Sequence, residues 1–158
     1  WALDGMAGVG VSVPGGVSAT DVDLSVRFAL VPGLSLGGTV GYQRRGDDTD
    51  YPAEFRSTVF PGAFLEVHAA PGSPVDLWLR VTGGVGIDNE RHDQYDRYAS
   101  ERSGRMVRGF FEGALGFAAG SRFVRIGPFV AVGTRRLGLG LRVDLLFPVE
   151  RDPGPGQD

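Results

Sequence analysis

The sequence predicts an all-β fold, an eight-stranded antiparallel up-and-down transmembrane β-barrel. Three observations predict it. Apolar residues alternate with polar or small residues along eight segments, which is the two-residue period of a β-strand. One face of each segment carries no charged residue, whereas the other carries glycine, alanine and balanced charges. No apolar run reaches the roughly 18 residues of a membrane helix, so a chain that crosses a bilayer must use strands paired into a closed sheet.

The eight predicted strands follow from this alternation in order along the chain. The last one shows it most clearly, because Leu139, Leu141 and Val143 share one face and Arg142 and Asp144 share the other. The strands are predicted at 1–13, 21–31, 34–43, 57–69, 75–88, 106–119, 123–134 and 137–147. Pro61 and Pro128 fall inside two of them and each removes a ladder hydrogen bond, so a local bulge is predicted at Pro128.

The connections between these strands differ in length. The sequences VPGL, APGSP and GSR, at 31–34, 70–74 and 120–122, have the proline, glycine and serine of tight turns. Long polar connections are predicted at 44–56 and 88–105. The connection at 14–20 is intermediate, and the one around 134–136 is short.

The composition of the two faces indicates which one points outward. A water-facing surface is dense in charge, whereas the polar face here includes many small residues, namely glycine, alanine and serine. Small residues fit the narrow lumen of an eight-stranded barrel, which the bulky apolar face would overfill. An unpaired charge in a lumen is costly, so the five arginines and five carboxylates of the polar face predict an ion-pair network. Its predicted members are Asp4, Asp23, Arg27, Glu66, Arg80, Arg108, Glu112, Arg125, Arg142 and Asp144.

In strand number, turn pattern and outward apolar face, the chain resembles the small eight-stranded outer-membrane barrels of Gram-negative bacteria, such as the transmembrane domain of OmpA, OmpX and NspA. The resemblance covers residues 1–147, and residues 148–158 are predicted to be a flexible tail rich in proline and glycine. It implies an integral protein of the bacterial outer membrane with both termini in the periplasm. It also implies an aromatic girdle near one end of the barrel, formed by Trp1, Phe28, Phe117 and Phe147.

The predicted role is structural or interaction-based, with a closed lumen. Expected partners are outer-membrane lipid or lipopolysaccharide, and a protein bound through the loop 88–105 or the tail 148–158. The candidate binding residues in that loop are Arg91, Tyr95, Arg97, Tyr98 and Arg102, which mix cations with aromatic rings. A net charge of −3 argues against a nucleic-acid partner.

Two alternatives remain open at this stage. The first is a narrow channel for small solutes. The second is a lipid-modifying enzyme in which His68, two residues from Glu66, acts as a general base. The absence of cysteine excludes a thiol nucleophile and a cysteine-ligated metal site. We predict no enzymatic activity, no cofactor and no metal.

Overall fold

A computed structural model of the chain describes residues 5–15, 19–47, 54–91, 105–135 and 137–149, and within them the side chains of 21–44, 57–88, 106–135 and 137–147. These residues form eight strands, and the prediction of an all-β antiparallel fold is confirmed. The strands are β1 (Gly5–Gly15), β2 (Ala19–Val31), β3 (Leu34–Asp47), β4 (Glu54–His68), β5 (Val75–Arg91), β6 (Arg105–Gly120), β7 (Val124–Gly133) and β8 (Leu137–Val149). Each pairs with the next, and β8 pairs with β1, so the sheet closes into a barrel. Among the described residues, no helix is long and apolar enough to span a membrane.

The register of the pairs fixes the stagger of the strands around the barrel. Ala7 on β1 pairs with Phe147 on β8. Starting again from Ala7 and following the paired residues through β2 to β7 leads to Leu137 on β8. Leu137 is ten residues from Phe147. The intermediate partners are Phe28, Leu36, Leu65, Val81, Gly113 and Val132. This stagger requires the strands to tilt from the barrel axis, typically by about 35–45°.

Tight turns join β2 to β3, β4 to β5 and β6 to β7, and we call this end of the barrel the turn end. Gly33 and Gly72 lie in the first two turns with φ angles of 83° and 87°, which only glycine adopts readily. The opposite end, where β3 to β6 run farthest, is called the loop end.

Both strand prolines interrupt one ladder without changing its register. Between β6 and β7, the pairs on either side of Phe117 and Pro128 keep one register while the pairs at these positions are missing. The ladder between β4 and β5 has the same gap at Pro61. The prediction of a bulge at Pro128 is therefore wrong, because the missing N–H removes hydrogen bonds but adds no residue to the strand.

The predicted connections 44–56 and 88–105 are too long, because strands run into both of them. β3 and β4 stay paired out to Asp47 and Glu54. β5 and β6 stay paired out to Arg105. The sequence of these stretches is polar at most consecutive positions, so the alternation stops although the backbone ladder continues.

The ends of the chain differ from the prediction in the same way. β1 and β2 extend to Gly15 and Ala19, inside the predicted connection 14–20. β8 continues to Val149, so the barrel ends two residues beyond the predicted boundary at 147. Residues 1–4 and the rest of the predicted tail lie outside the described residues.

The outward face of the barrel is apolar. Large aliphatic and aromatic side chains are exposed along it, and among the described side chains its one charged residue is Arg44, near the loop end of β3. Outward residues include Leu24, Val26, Phe28, Val40, Leu65, Leu79, Val81, Leu115, Ile126, Val130, Leu139 and Leu141. The residues between them are buried, and most of the large ones are polar. The hydrophobic surface of this barrel is therefore mainly its exterior.

A charge-paired lumen as the candidate functional site

A single buried carboxylate, that of Glu66, organises the middle of the lumen. Its side chain is 0% exposed. Arg80 donates from Nε to Oε2 at 2.7 Å, and Arg142 donates to Oε2 at 2.6 Å and to Oε1 at 3.0 Å. Arg27 also donates to Oε1, and Nε2 of His68 lies 2.9 Å from the same oxygen. Both carboxylate oxygens thus accept from guanidinium groups, and Oε1 also contacts the imidazole of His68.

The sequence period brings these residues together from four strands. Glu66 and His68 are two apart on β4, so both point inward, and Glu66 is paired directly with Arg80 on β5. Arg27 arrives from β2 and Arg142 from β8. A carboxylate without partners at this depth would be strongly destabilising, and the three guanidinium groups offset the cost of its desolvation.

Two further carboxylates extend the network around Glu66. Asp144 accepts from Nε of Arg142 at 2.8 Å and lies 3.4 Å from Nη2 of Arg27. Toward the turn end, Asp76 lies 2.6 Å from Nδ1 of His68 and 3.2 Å from Nη1 of Arg125. Both ring nitrogens of His68 therefore face carboxylates.

A second cluster lies nearer the loop end, around Arg135. Its guanidinium donates to Asp21 and lies 2.7 Å from Oδ1 of Asp23. Gly41 leaves the space for this cluster, because a Cβ there would lie 2.7 Å from Nη2 of Arg135. The same guanidinium stacks over Phe60, 4.4 Å from the ring centroid.

The outermost pair joins Asp88 and Arg108. Nη2 of Arg108 lies 2.5 Å from Oδ2 of Asp88, and Thr58 donates to Oδ1 at 2.6 Å. Asp88 is buried, whereas the side chain of Arg108 is 59% exposed. This pair lies where the inner wall of the barrel meets solvent at the loop end.

Aromatic side chains fill the rest of the central lumen. Trp78 packs against Phe129 with ring centroids 6.0 Å apart, and the guanidinium of Arg142 lies 4.3 Å from the Trp78 ring. The guanidinium of Arg80 lies 3.8 Å from the centroid of Phe64. Gly116 makes room for this packing, since a Cβ there would meet Trp78 at 2.6 Å.

Among the described residues, cavities lie at both ends of the barrel and near its centre. One of about 310 Å³ opens at the loop end, and one of about 210 Å³ lies at the turn end. Between them, beside Trp78, Arg80 and Arg142, the structure leaves only about 20 Å³. That space is on the order of a single water molecule, so the ion pairs and rings close the lumen at its centre.

The structure brings most of the predicted lumen residues together. Glu112 is buried and, with Asp23, lines the small central space. Arg108 is part of the network but reaches solvent, and Asp4 lies outside the described residues. The inward residues are Asp23, Arg27, Glu66, Arg80, Arg108, Glu112, Arg125, Arg142 and Asp144.

The other predicted site residues fall into three groups. Phe28, Phe117 and Phe147 are exposed on the outer face toward the turn end, where both Phe28 and Phe147 pair with Ala7. Arg91, predicted to lie in a loop, is instead the last residue of β5 and pairs with Phe55, because the ladder outlasts the alternation. Trp1, Tyr95, Arg97, Tyr98 and Arg102 lie outside the described residues.

Four inward charges were missed at the sequence level, namely Asp21, Asp76, Asp88 and Arg135. Each lies at the end of a predicted strand or in a predicted connection. The sequence signal that identifies them is the two-residue period of the strands, because residues an even number of positions apart point to the same side. Asp76 is two residues before Trp78, and Arg135 is four residues after Ala131, so extending the two-residue period through the strand ends places both inside.

Comparison with protein-family models gives no match. A comparison with curated proteins also gives none. Among solved structures, the chain is similar to Ail, the attachment invasion locus protein of Yersinia pestis, crystallised in complex with the heparin analogue sucrose octasulfate. The TM-score is 0.45 and the sequence identity 12%, over 90% of this chain and 93% of that one.

Proposed function

We propose that the chain is an integral protein of the bacterial outer membrane, whose eight strands cross the bilayer as a closed barrel. Its role is to anchor in the membrane and to present loops or the C-terminal tail to partners. The turn end and both termini face the periplasm. The observation that carries the proposal is the inverted distribution of polarity, with hydrocarbon side chains on the outer face and paired charges in the lumen.

The height of the apolar band supports a transmembrane position. Leu137 and Phe147 mark its limits on β8 and are ten residues apart. At about 3.3 Å per residue and a tilt near 40°, they are separated by about 25 Å along the barrel axis. Apolar bands of outer-membrane barrels are about 25 Å tall. A soluble barrel of this size would leave a comparable apolar belt in water, which soluble monomers rarely do.

The contents of the lumen favour an anchor over a pore. Ions would have to pass the space beside Arg80 and Arg142, which is about 20 Å³. Opening it requires the separation of Glu66 from its guanidinium partners, and breaking a buried ion pair is costly. A channel for small solutes is therefore the less favoured function.

The proposal includes no enzymatic activity. The catalytic candidate from the sequence, His68, is held between Glu66 and Asp76 inside the barrel. Recognition is assigned instead to lipopolysaccharide or a protein, at the loop between β5 and β6 or at the residues after β8. The cations and tyrosines of that loop suit contacts with phosphate groups and with protein surfaces.

The experiment that tests membrane insertion is extraction followed by gel electrophoresis. The full chain, expressed in a Gram-negative host, is expected in the outer-membrane fraction, soluble only in detergent. Unboiled protein should migrate differently from boiled protein, because a closed barrel resists unfolding by detergent. Release of the folded protein by salt or alkali without detergent would contradict the proposal.

A further inference from the structure

We infer that the free edge of β6 at the loop end binds an extended polypeptide segment of a partner protein, which adds a strand to the sheet. β6 reaches Arg105, where it is still paired with Asn89 on β5. On its other side, β7 ends at Gly133, which pairs with Glu112. Among the described residues, 105–110 of β6 therefore have a neighbouring strand on one side only. The inference rests on the proposed function, since it names how the loop end holds a protein partner.

Backbone hydrogen-bonding groups point away from the sheet along this edge. Where the pairing with β7 stops, Phe111 donates its N–H to Oγ1 of Thr134 at 3.0 Å and accepts from N of Thr134 at 2.9 Å. Backbone groups of a strand alternate between its two sides, so those of Gly109 and Val107 also face the β7 side. Within the described part of the chain they make no hydrogen bond there. An added strand supplies the donors and acceptors that these groups lack.

The edge is open to strand addition. Proteins usually block exposed edges with proline, with a bulge or with charged side chains that point inward. Residues 105–110 contain no proline, and their pairing with β5 continues without a bulge. The charged side chain described here, Arg108, is paired with Asp88 on the neighbouring strand. The stretch therefore keeps the flat, regular backbone that another strand needs.

The free stretch lies beyond the apolar band. Gly113 is in the same row of paired residues as Leu137, which marks the loop-end limit of the band on β8. The stagger of ten residues around eight strands raises this row by about two to three residues between β6 and β8. The limit of the band on β6 therefore falls near Phe111, and Gly109 and Val107 lie outside it. Water can hydrogen-bond their backbone groups there, and a soluble partner can reach them.

The side chains beside the edge define the sequence of the partner segment. On the outward face, Val107 is 62% exposed, and a Cβ on Gly109 would meet no atom within 4 Å. An aromatic ring opposite Gly109 fills that space and packs against Val107. On the other face, the side chain of Arg108 is 59% exposed and favours an acidic neighbour over a basic one. The segment therefore alternates aromatic or aliphatic residues with acidic ones.

A second copy of the chain fits this edge less well than a free segment does. Two barrels inserted in the same direction have β6 strands that run the same way, so pairing of their β6 edges is parallel. Parallel pairs are less stable per residue than antiparallel ones. A segment of a soluble partner is free to run antiparallel to β6, as β5 and β7 do.

Peptide titration of the full-length protein in detergent micelles tests the inference. The probes are peptides of about eight residues in which glutamate alternates with phenylalanine or with valine, and a counterpart in which lysine alternates with phenylalanine. Hydrogen exchange of the Val107 and Gly109 amides, followed by NMR, reports on the edge. We expect rapid exchange in the free protein, saturable protection when peptide binds, and the tightest binding by the glutamate–phenylalanine peptide.

Methylation of alternate peptide nitrogens distinguishes strand addition from side-chain contact. In a bound strand, one alternating set of N–H groups faces β6 and the other faces away. Methylating the facing set should lower affinity roughly tenfold or more, and methylating the other set should change it little. Equal effects of the two sets would overturn the inference.

A matched pair of variants locates the site on β6. Gly109→Pro removes an edge N–H without removing a hydrogen bond to β5, so peptide affinity should fall roughly tenfold. Gly109→Ala keeps the N–H and should bind nearly as the wild type does. Heat-modifiable gel migration reports whether each variant is folded.

Two results for the wild type would refute the inference even if a variant does not fold. One is slow exchange at Val107 and Gly109 in the free protein, which would mean that the chain itself or a second copy already pairs with the edge. The other is the absence of saturable binding by every peptide. Insertion into the membrane is tested separately by extraction, so failure of strand addition and failure of the proposed function are distinguishable.

Discussion

At the scale of single residues, stability inside the lumen depends on how many cations share one carboxylate. Glu66 pairs with Arg27, Arg80 and Arg142 at once, and it has no exposed surface. Asp88, by contrast, pairs with Arg108, whose side chain is more than half exposed. Both are buried acids in ion pairs, but only the loss of Glu66 leaves charges that water cannot reach.

This difference predicts unequal effects of two isosteric substitutions. Glu66→Gln leaves three buried guanidinium groups short of a counter-charge, so the free energy of unfolding should fall by about 3–5 kcal/mol. Asp88→Asn keeps a partner for Thr58 and leaves Arg108 in contact with water, so its loss should be about 1 kcal/mol or less. Urea titration of barrels refolded into lipid vesicles measures both values. Equal losses of unfolding free energy in the two variants would show that the Glu66 cluster contributes no more to stability than the Asp88 pair.

At the scale of the strands, the sequence predicts which side chains point outward and which point into the lumen better than it predicts where each strand ends. Period-two alternation places Leu139 outside and Arg142 inside, because a lipid-facing side chain and a lumen-facing side chain differ in polarity. The ladder near Arg91 was missed, because backbone hydrogen bonds continue where neither face is selected for hydrocarbon. The Glu66 cluster joins four strands, and its partners could not be read from sequence, since register and stagger decide which inward charges meet.

The outward face of β8 permits a depth-dependent prediction. Leu141 is near the middle of the apolar band and Leu137 is at its loop-end edge, with exposures of 48% and 82%. Leu141→Arg should lower the free energy of unfolding in vesicles by about 2–4 kcal/mol, and Leu137→Arg by about 0–1 kcal/mol. The same urea titration measures both. A small, equal cost at the two positions would mean that the face meets water.

The gap in the ladder between β6 and β7 predicts a substitution that raises the free energy of unfolding, whereas those above lower it. Pro128 has no N–H for the β6 position opposite it, Phe117, and a carbonyl without a donor is unfavourable in lipid. Pro128→Val restores the donor and should raise the free energy of unfolding by up to about 1 kcal/mol. Pro71→Val, in an exposed turn, is the control and should leave stability unchanged or lower it. A loss in both variants would show that the strand needs the proline.

At the scale of the whole molecule, the same side chains that stabilise the barrel also close it. Trp78, Phe129 and the guanidiniums of Arg80 and Arg142 separate cavities of about 310 and 210 Å³. The lumen of an eight-stranded barrel is wide enough for side chains or for a water-filled path, but not for both. Here the side chains fill its centre. Anchoring and conduction are therefore alternatives for this fold.

Planar-bilayer recording distinguishes these alternatives. The wild-type protein should give no steady single-channel steps, because the central space of about 20 Å³ does not pass a hydrated ion. Trp78→Ala removes the largest ring lining that space and should produce small steps. Asp88→Asn, at the loop end of the lumen, should remain silent. Steps of equal size in the wild type and in Trp78→Ala would show that ions take a route that these rings do not block, and the closed-lumen anchor would then be replaced by the pore.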